Sequence, residues 1–87
     1  MAKKVIKFYA TWCGPCKAYG TTFERVKQEL QDGIEFVEVN VEDDPENLSG
    51  EFKVRGIPHT VILEDGEKIR EKSGRLSETE LKELILN

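Results

Sequence analysis

The chain has 87 residues, 38% hydrophobic and 34% charged, with a net charge of −4. That is the length and balance of one small globular domain over residues 1–87 with a modest core, and its acidity argues against a nucleic-acid or anionic-membrane partner. With no run of roughly 20 apolar residues and a start too short of apolar residues for a secretory leader, it reads as a cytoplasmic protein, and a monomer is expected.

Lys4–Ala10 (KVIKFYA) alternates and is rich in β-branched and aromatic residues, which predicts a strand. From Cys13 to Leu30 the spacing becomes helical, with Cys16, Tyr19, Phe23, Val26 and Leu30 on one stripe. Asp32-Gly33 ends that helix. Ile34–Val41 predicts a second strand, with Val37, Val39 and Val41 on one face and Phe36, Glu38 and Asn40 on the other.

Next, Asp44 is placed to cap a short helix with Pro45 at its first position, running through Leu48 and Phe52 and stopping near Gly56. Thr60–Leu63 and Lys68–Lys72 flank Glu64-Asp65-Gly66-Glu67, a hairpin signal. Ser77-Glu78-Thr79-Glu80 is a capping box, with Leu76 and Leu81 as its staple and Leu81, Leu84 and Ile85 as the buried face of a last helix. The predicted order is βαβαββα. It gives an α/β fold with a four-stranded mixed sheet flanked by three helices, the first two strands parallel with a right-handed crossover.

The only cysteines, Cys13 and Cys16, lie at the junction of the first strand and first helix. As a structural staple the pair would close too small a loop to remove much unfolded-state entropy. As half of a zinc site it would need two further ligands, and His59 is the one histidine, so a closed intramolecular site is unavailable. A redox centre fits best, since C-x-x-C beside a βαβ pattern is the signature of dithiol chemistry. The helix N-terminus favours a thiolate at Cys13, while Cys16 sits one turn deeper on the same face. Cys13 is therefore expected to attack and Cys16 to resolve the mixed disulfide. Pro15 suits the first turn, and Gly14 leaves room beside the sulfur for another chain.

The motif Trp12-Cys13-Gly14-Pro15-Cys16-Lys17, with Arg55-Gly56-Ile57-Pro58 and Gly74, resembles the thioredoxin family over about Lys4 to Leu86. The resemblance implies a thioredoxin-like fold and a disulfide oxidoreductase with a redox-active Cys13–Cys16 disulfide and no bound cofactor or metal. Its partners would be protein disulfides and a thioredoxin reductase or similar recycling system. It further implies a cis Ile57–Pro58 bond, and a docking patch made of Trp12, Gly14, Pro15, Ile57, Pro58 and Gly74. The alternatives are a glutaredoxin-like, glutathione-dependent reductase, as the short length suggests, and a thioredoxin-fold binding subunit.

The chain departs from the family at several positions. Thioredoxins usually carry a further strand and helix before this point, so the second strand is expected at a sheet edge, its Glu35, Glu38, Asn40 and Glu42 discouraging edge pairing. The family's buried aspartate corresponds to Lys7 here, and its partner lysine to Glu38. Lys7 and Glu38 are thus either a charge-swapped pair handling the proton of Cys16, or solvated edge charges with Lys7 reaching outward. His59, after the presumed cis-proline, either lies near Cys13, where it would shift thiolate stability, or, as the favoured reading, starts a strand facing solvent. Gly20-Thr21-Thr22 stands in place of the family's mid-helix proline and is a candidate for bending the first helix. The acidic residues at 42–46 lack calcium-loop spacing and read as helix capping.

Overall fold

In the computed structural model, which describes residues 2–87, β1 (Lys3–Tyr9), α1 (Gly14–Leu30), β2 (Ile34–Asn40), α2 (Leu48–Glu51), β3 (His59–Glu64), β4 (Glu67–Ser73) and α3 (Glu78–Leu86) follow in the predicted order. The sheet order is β2-β1-β3-β4. β1 pairs parallel with β2, which puts Lys7 opposite Glu38, and antiparallel with β3, which puts Lys7 opposite Thr60. The parallel pair needs a crossover, and α1 supplies it.

Strand alternation divides the interior into two cores. Val5 and Ile62 face α1 and α3 and pack with Tyr19, Phe23, Val26, Leu76, Leu81 and Ile85. Ile6, Phe8, Val61 and Leu63 point the other way, joined by Val39 and covered by Leu48 and Phe52 around α2. The predicted α1 stripe is buried at Cys16, Tyr19, Phe23 and Val26, with Leu30 half-buried at its end.

The hairpin turns on Asp65 (φ 53°) and Gly66 (φ 87°), the two positive values that a two-residue type I′ turn requires. Its strands each run past the predicted ends, and Ile69 is the extra residue of a bulge. The α3 capping box forms as expected, with Glu80 N–H donating to Ser77 Oγ at 3.1 Å and Ser77 N–H to Glu80 Oε1 at 2.9 Å.

Two expectations need correction. Pro45 does not begin α2. Instead Asn47 N–H donates to the Asp44 carbonyl at 2.9 Å, so residues 44–47 form a turn with Pro45 at its second position, a site that suits its fixed φ. Asp44 still caps, from further back: its carboxylate accepts the N–H groups of Leu48 and Ser49 and the Ser49 hydroxyl. Those bonds, Ser49's foremost, hold the Asp44 pKa below its ordinary value.

α2 also stops at Glu51 rather than near Gly56. Lys53 takes φ 55°, its N–H donates to Gly50 O, and Val54 N–H donates to Ser49 O. This is a Schellman closure with lysine where glycine is usual, which concealed the helix end in the sequence. α1, by contrast, runs unbroken past Gly20-Thr21-Thr22.

Candidate active site

Ala10 to Cys13 is a tight connection: Cys13 N–H donates to Ala10 O at 3.2 Å, turning the chain from β1 into α1. Cys13 is the N-cap of α1, with extended backbone (φ −86°, ψ 112°), and Pro15 lies in the first turn. Its sulfur accepts the N–H of Cys16 at 3.2 Å. A sulfur in that position faces the free N–H groups and positive end of the helix, which favour the thiolate whenever the pair is reduced.

Cys13 and Cys16 are joined as a disulfide with Cα atoms 5.2 Å apart. They are 5% and 3% exposed, so in this oxidised state accessibility hardly separates them. What separates them is position, Cys13 at the cap and Cys16 inside the helix. The surroundings are open on one side: Gly14 and Pro15 are exposed, Trp12 is 66% exposed, and a Cβ added at Gly14 would meet nothing within 4 Å.

The opposing loop reaches the cysteines through Ile57, which packs against the Ala10, Cys13 and Cys16 cluster together with Tyr9 and Val41. The Ile57–Pro58 peptide is cis and Pro58 is buried. Gly74, at φ 97°, donates its N–H to the Pro58 carbonyl at 2.8 Å. Three chain segments thus converge: the motif at residues 12–16, Ile57–Pro58 and Gly74.

His59 does not face solvent. It is buried, with Nδ1 2.7 Å from Ser73 Oγ and Nε2 3.0 Å from Glu71 Oε1. Strand alternation explains the error: His59, Val61 and Leu63 share a face, and in register His59 lies opposite Phe8, whose ring is 6.4 Å from the imidazole. Hydrogen bonds from Lys68 and then His59 lower the Glu71 pKa. Read to its end, the same period-two pattern gives this burial from the sequence.

Lys7 also departs from the outward-reaching alternative. Its side chain is 5% exposed, its Nζ lies 3.0 Å from Glu38 Oε1, and it sits 5.0 Å from the ring centroids of both Tyr9 and Phe23. Glu38 remains 45% exposed. Lys7 and Cys16 line one cavity of about 200 Å³, with Tyr9, Lys17 and Gly20 around it. A Cβ on Gly20 would lie 3.5 Å from Lys7 Nζ, so this turn of α1 passes close over the ammonium.

Among the described residues, no group of three or more His, Cys, Asp or Glu side chains is placed to hold a metal ion, and no helix is long and apolar enough to cross a membrane. A disulfide at the cap of a helix, faced by a cis-proline loop, defines a dithiol–disulfide centre.

Comparison with known proteins agrees. The sequence matches the family profile "Thioredoxin" over residues 1–87. It is 42% identical over 83 residues to a thioredoxin of Mycoplasmoides gallisepticum, covering 95% of this chain and 81% of that protein. Among solved structures, a thioredoxin of Malassezia sympodialis superposes with a TM-score of 0.86 at 33% identity, over 97% of this chain and 72% of the other. The thioredoxin of Fasciola hepatica gives 0.86 at 32%, over 95% and 77%. The chain belongs to the thioredoxin family. It is a thiol–disulfide oxidoreductase with the thioredoxin fold and a Cys13–Cys16 redox pair. Membership implies disulfide-bearing protein substrates and a reducing system that restores the dithiol.

Proposed function

We propose that the protein works chiefly as a reductant of protein disulfides, with Cys13 as nucleophile and Cys16 as resolving thiol. The observation that carries this assignment is the position of Cys13 at the α1 cap, its sulfur accepting the Cys16 N–H. In the reaction the Cys13 thiolate breaks the substrate S–S bond and forms a Cys13–substrate disulfide. The first substrate thiolate leaves and takes a proton from water. Cys16 then loses its proton to water and attacks the Cys13 sulfur, and the second substrate thiolate leaves and is protonated. The substrate gains two electrons, and the dithiol becomes the Cys13–Cys16 disulfide.

Trp12, Gly14, Pro15, Ile57, Pro58 and Gly74 form the surface on which the substrate segment docks. Their support is convergence on one side of the cysteines with exposure at Trp12, Gly14, Pro15 and Gly74. A thioredoxin reductase or similar system regenerates the dithiol, and the chain acts as a monomer without a bound cofactor or metal in the reducing cytoplasm, where a close cysteine pair stays available for turnover.

The test is reduction of insulin by the wild-type protein and by Cys13→Ser and Cys16→Ser, supplied with either thioredoxin reductase and NADPH or glutathione. Both variants are expected to lose turnover, and Cys16→Ser is expected to accumulate a mixed disulfide through Cys13. Turnover surviving in Cys13→Ser would sink the assignment of roles. Turnover with glutathione alone would move the protein to glutathione-dependent chemistry.

A further inference from the structure

Lys7 is a buried cation for which the exchange reaction, as written, has no use. A lysine at 4% exposure is rare unless paired, and desolvation opposes its charge. Its ammonium is compensated on one side by Glu38 at 3.0 Å and on two others by the faces of Tyr9 and Phe23. Lys7 also lines the cavity that Cys16 lines. The chain thus buries a lysine at the edge of the cavity that its second cysteine lines.

We propose that Lys7 is a positioning residue for the resolving step, stabilising the Cys16 thiolate through the cavity they share, with Glu38 anchoring the ammonium there. This rests on the assignment of Cys16 as the resolving thiol. The step is the one already described: Cys16 gives its proton to water, and its thiolate attacks the Cys13 sulfur. Lys7 exchanges no proton or electron. It lowers the cost of the negative charge at Cys16 in a site where low polarity makes that charge expensive and a nearby cation effective.

The other ionisable groups do not supply the same field. Tyr9 from β1 and Lys17 from α1 line the cavity, and Lys17 is exposed. Cys13 stands at the cap of α1. From β2, Glu38 acts against the thiolate and is itself engaged by Lys7. From β3, the Thr60 hydroxyl is bonded to Tyr19, and His59 lies on the opposite sheet face with Glu71.

The experiment titrates Cys16 as the sole thiol in Cys13→Ser, following thiolate absorbance against pH, and repeats it with Lys7→Met and Lys7→Arg added. Methionine fills similar space without charge, and the half-exposed Glu38 then turns to water, so the variant leaves no buried unpaired charge. Lys7→Met is expected to move the Cys16 titration upward by about one pH unit, a roughly tenfold loss of thiolate near neutrality. Lys7→Arg is expected to restore the wild-type midpoint. In the two-cysteine protein, the pH profile for release of the mixed disulfide should shift likewise. Coincident midpoints for Lys7, Met and Arg would overturn the proposal, since a purely structural lysine would change stability and leave the titration in place. If insulin reduction fails in the wild-type protein while the midpoint moves, the functional reading falls and the electrostatic assignment stands.

Discussion

The hydroxyls of Tyr19 and Thr60 meet at 2.6 Å between α1 and β3, both residues fully buried. Burial pushes the Tyr19 pKa up to about 12 from 10.0, against the opposing effect of the Thr60 hydrogen bond. The unfolded chain therefore ionises first as pH rises. Because the folded value is the higher one, the contribution is intact below pH 10 and is lost between pH 10 and about 12. A shift of that size corresponds to about 2–3 kcal/mol. Urea midpoints measured through this range should fall for the wild-type protein and fall less for Tyr19→Phe; parallel curves would show that the hydroxyl does not couple to folding. At this scale the sequence was readable where chemistry is local. The Cys13–Cys16 pair and Pro15 announce themselves by spacing. For Lys7 the sequence leaves two readings open, because its burial depends on Glu38 on another strand. The burial of His59 follows only once the period-two pattern is carried to the first residue of β3, where Ser73 and Glu71 hold its ring.

Among the elements, α3 is held differently at its two ends. Its N-terminus was legible in full, since Ser77 and Glu80 cap it from within four residues. Its C-terminus was not. Arg70 on β4 donates through Nε to Leu84 O at 2.6 Å and through its terminal nitrogen to Ile85 O at 3.3 Å, and Lys3 on β1 donates to Ile85 O at 2.7 Å. The last turn is thus neutralised by two cations from separate strands, the sign that the helix dipole requires. A half-buried, charge-assisted contact of this kind contributes about 1.5–3 kcal/mol. Chemical denaturation should show Arg70→Met losing stability in that range and Arg70→Lys losing less. An unchanged midpoint in Arg70→Met would mean that water replaces the guanidinium without cost. α2 presents the opposite difficulty: its brevity follows from a turn at residues 44–47 and a lysine in a glycine-like conformation, neither of which periodicity reports.

For the molecule as a whole, the element order and the parallel β1–β2 pair follow from apolar spacing and the crossover rule, whereas the place of β2 at the sheet edge came from the resemblance to thioredoxins. Long-range polar contacts, which carry no periodic signature, were the part left unread. One of them reaches furthest. The Ile85 carbonyl receives both Lys3, from the start of β1, and Arg70, from the far edge of the sheet, so the last helix cannot lift without stripping cations from two strands at once. Opening of α3 is thereby tied to opening of the sheet. In native-state hydrogen exchange, amides from Lys82 to Ile85 should share the denaturant dependence of those in β1. A flat, denaturant-independent exchange confined to α3 would instead mark it as a separately fraying unit. If the coupling holds, a single oxygen atom near the end of the chain makes one cooperative body out of elements that the sequence writes more than eighty residues apart.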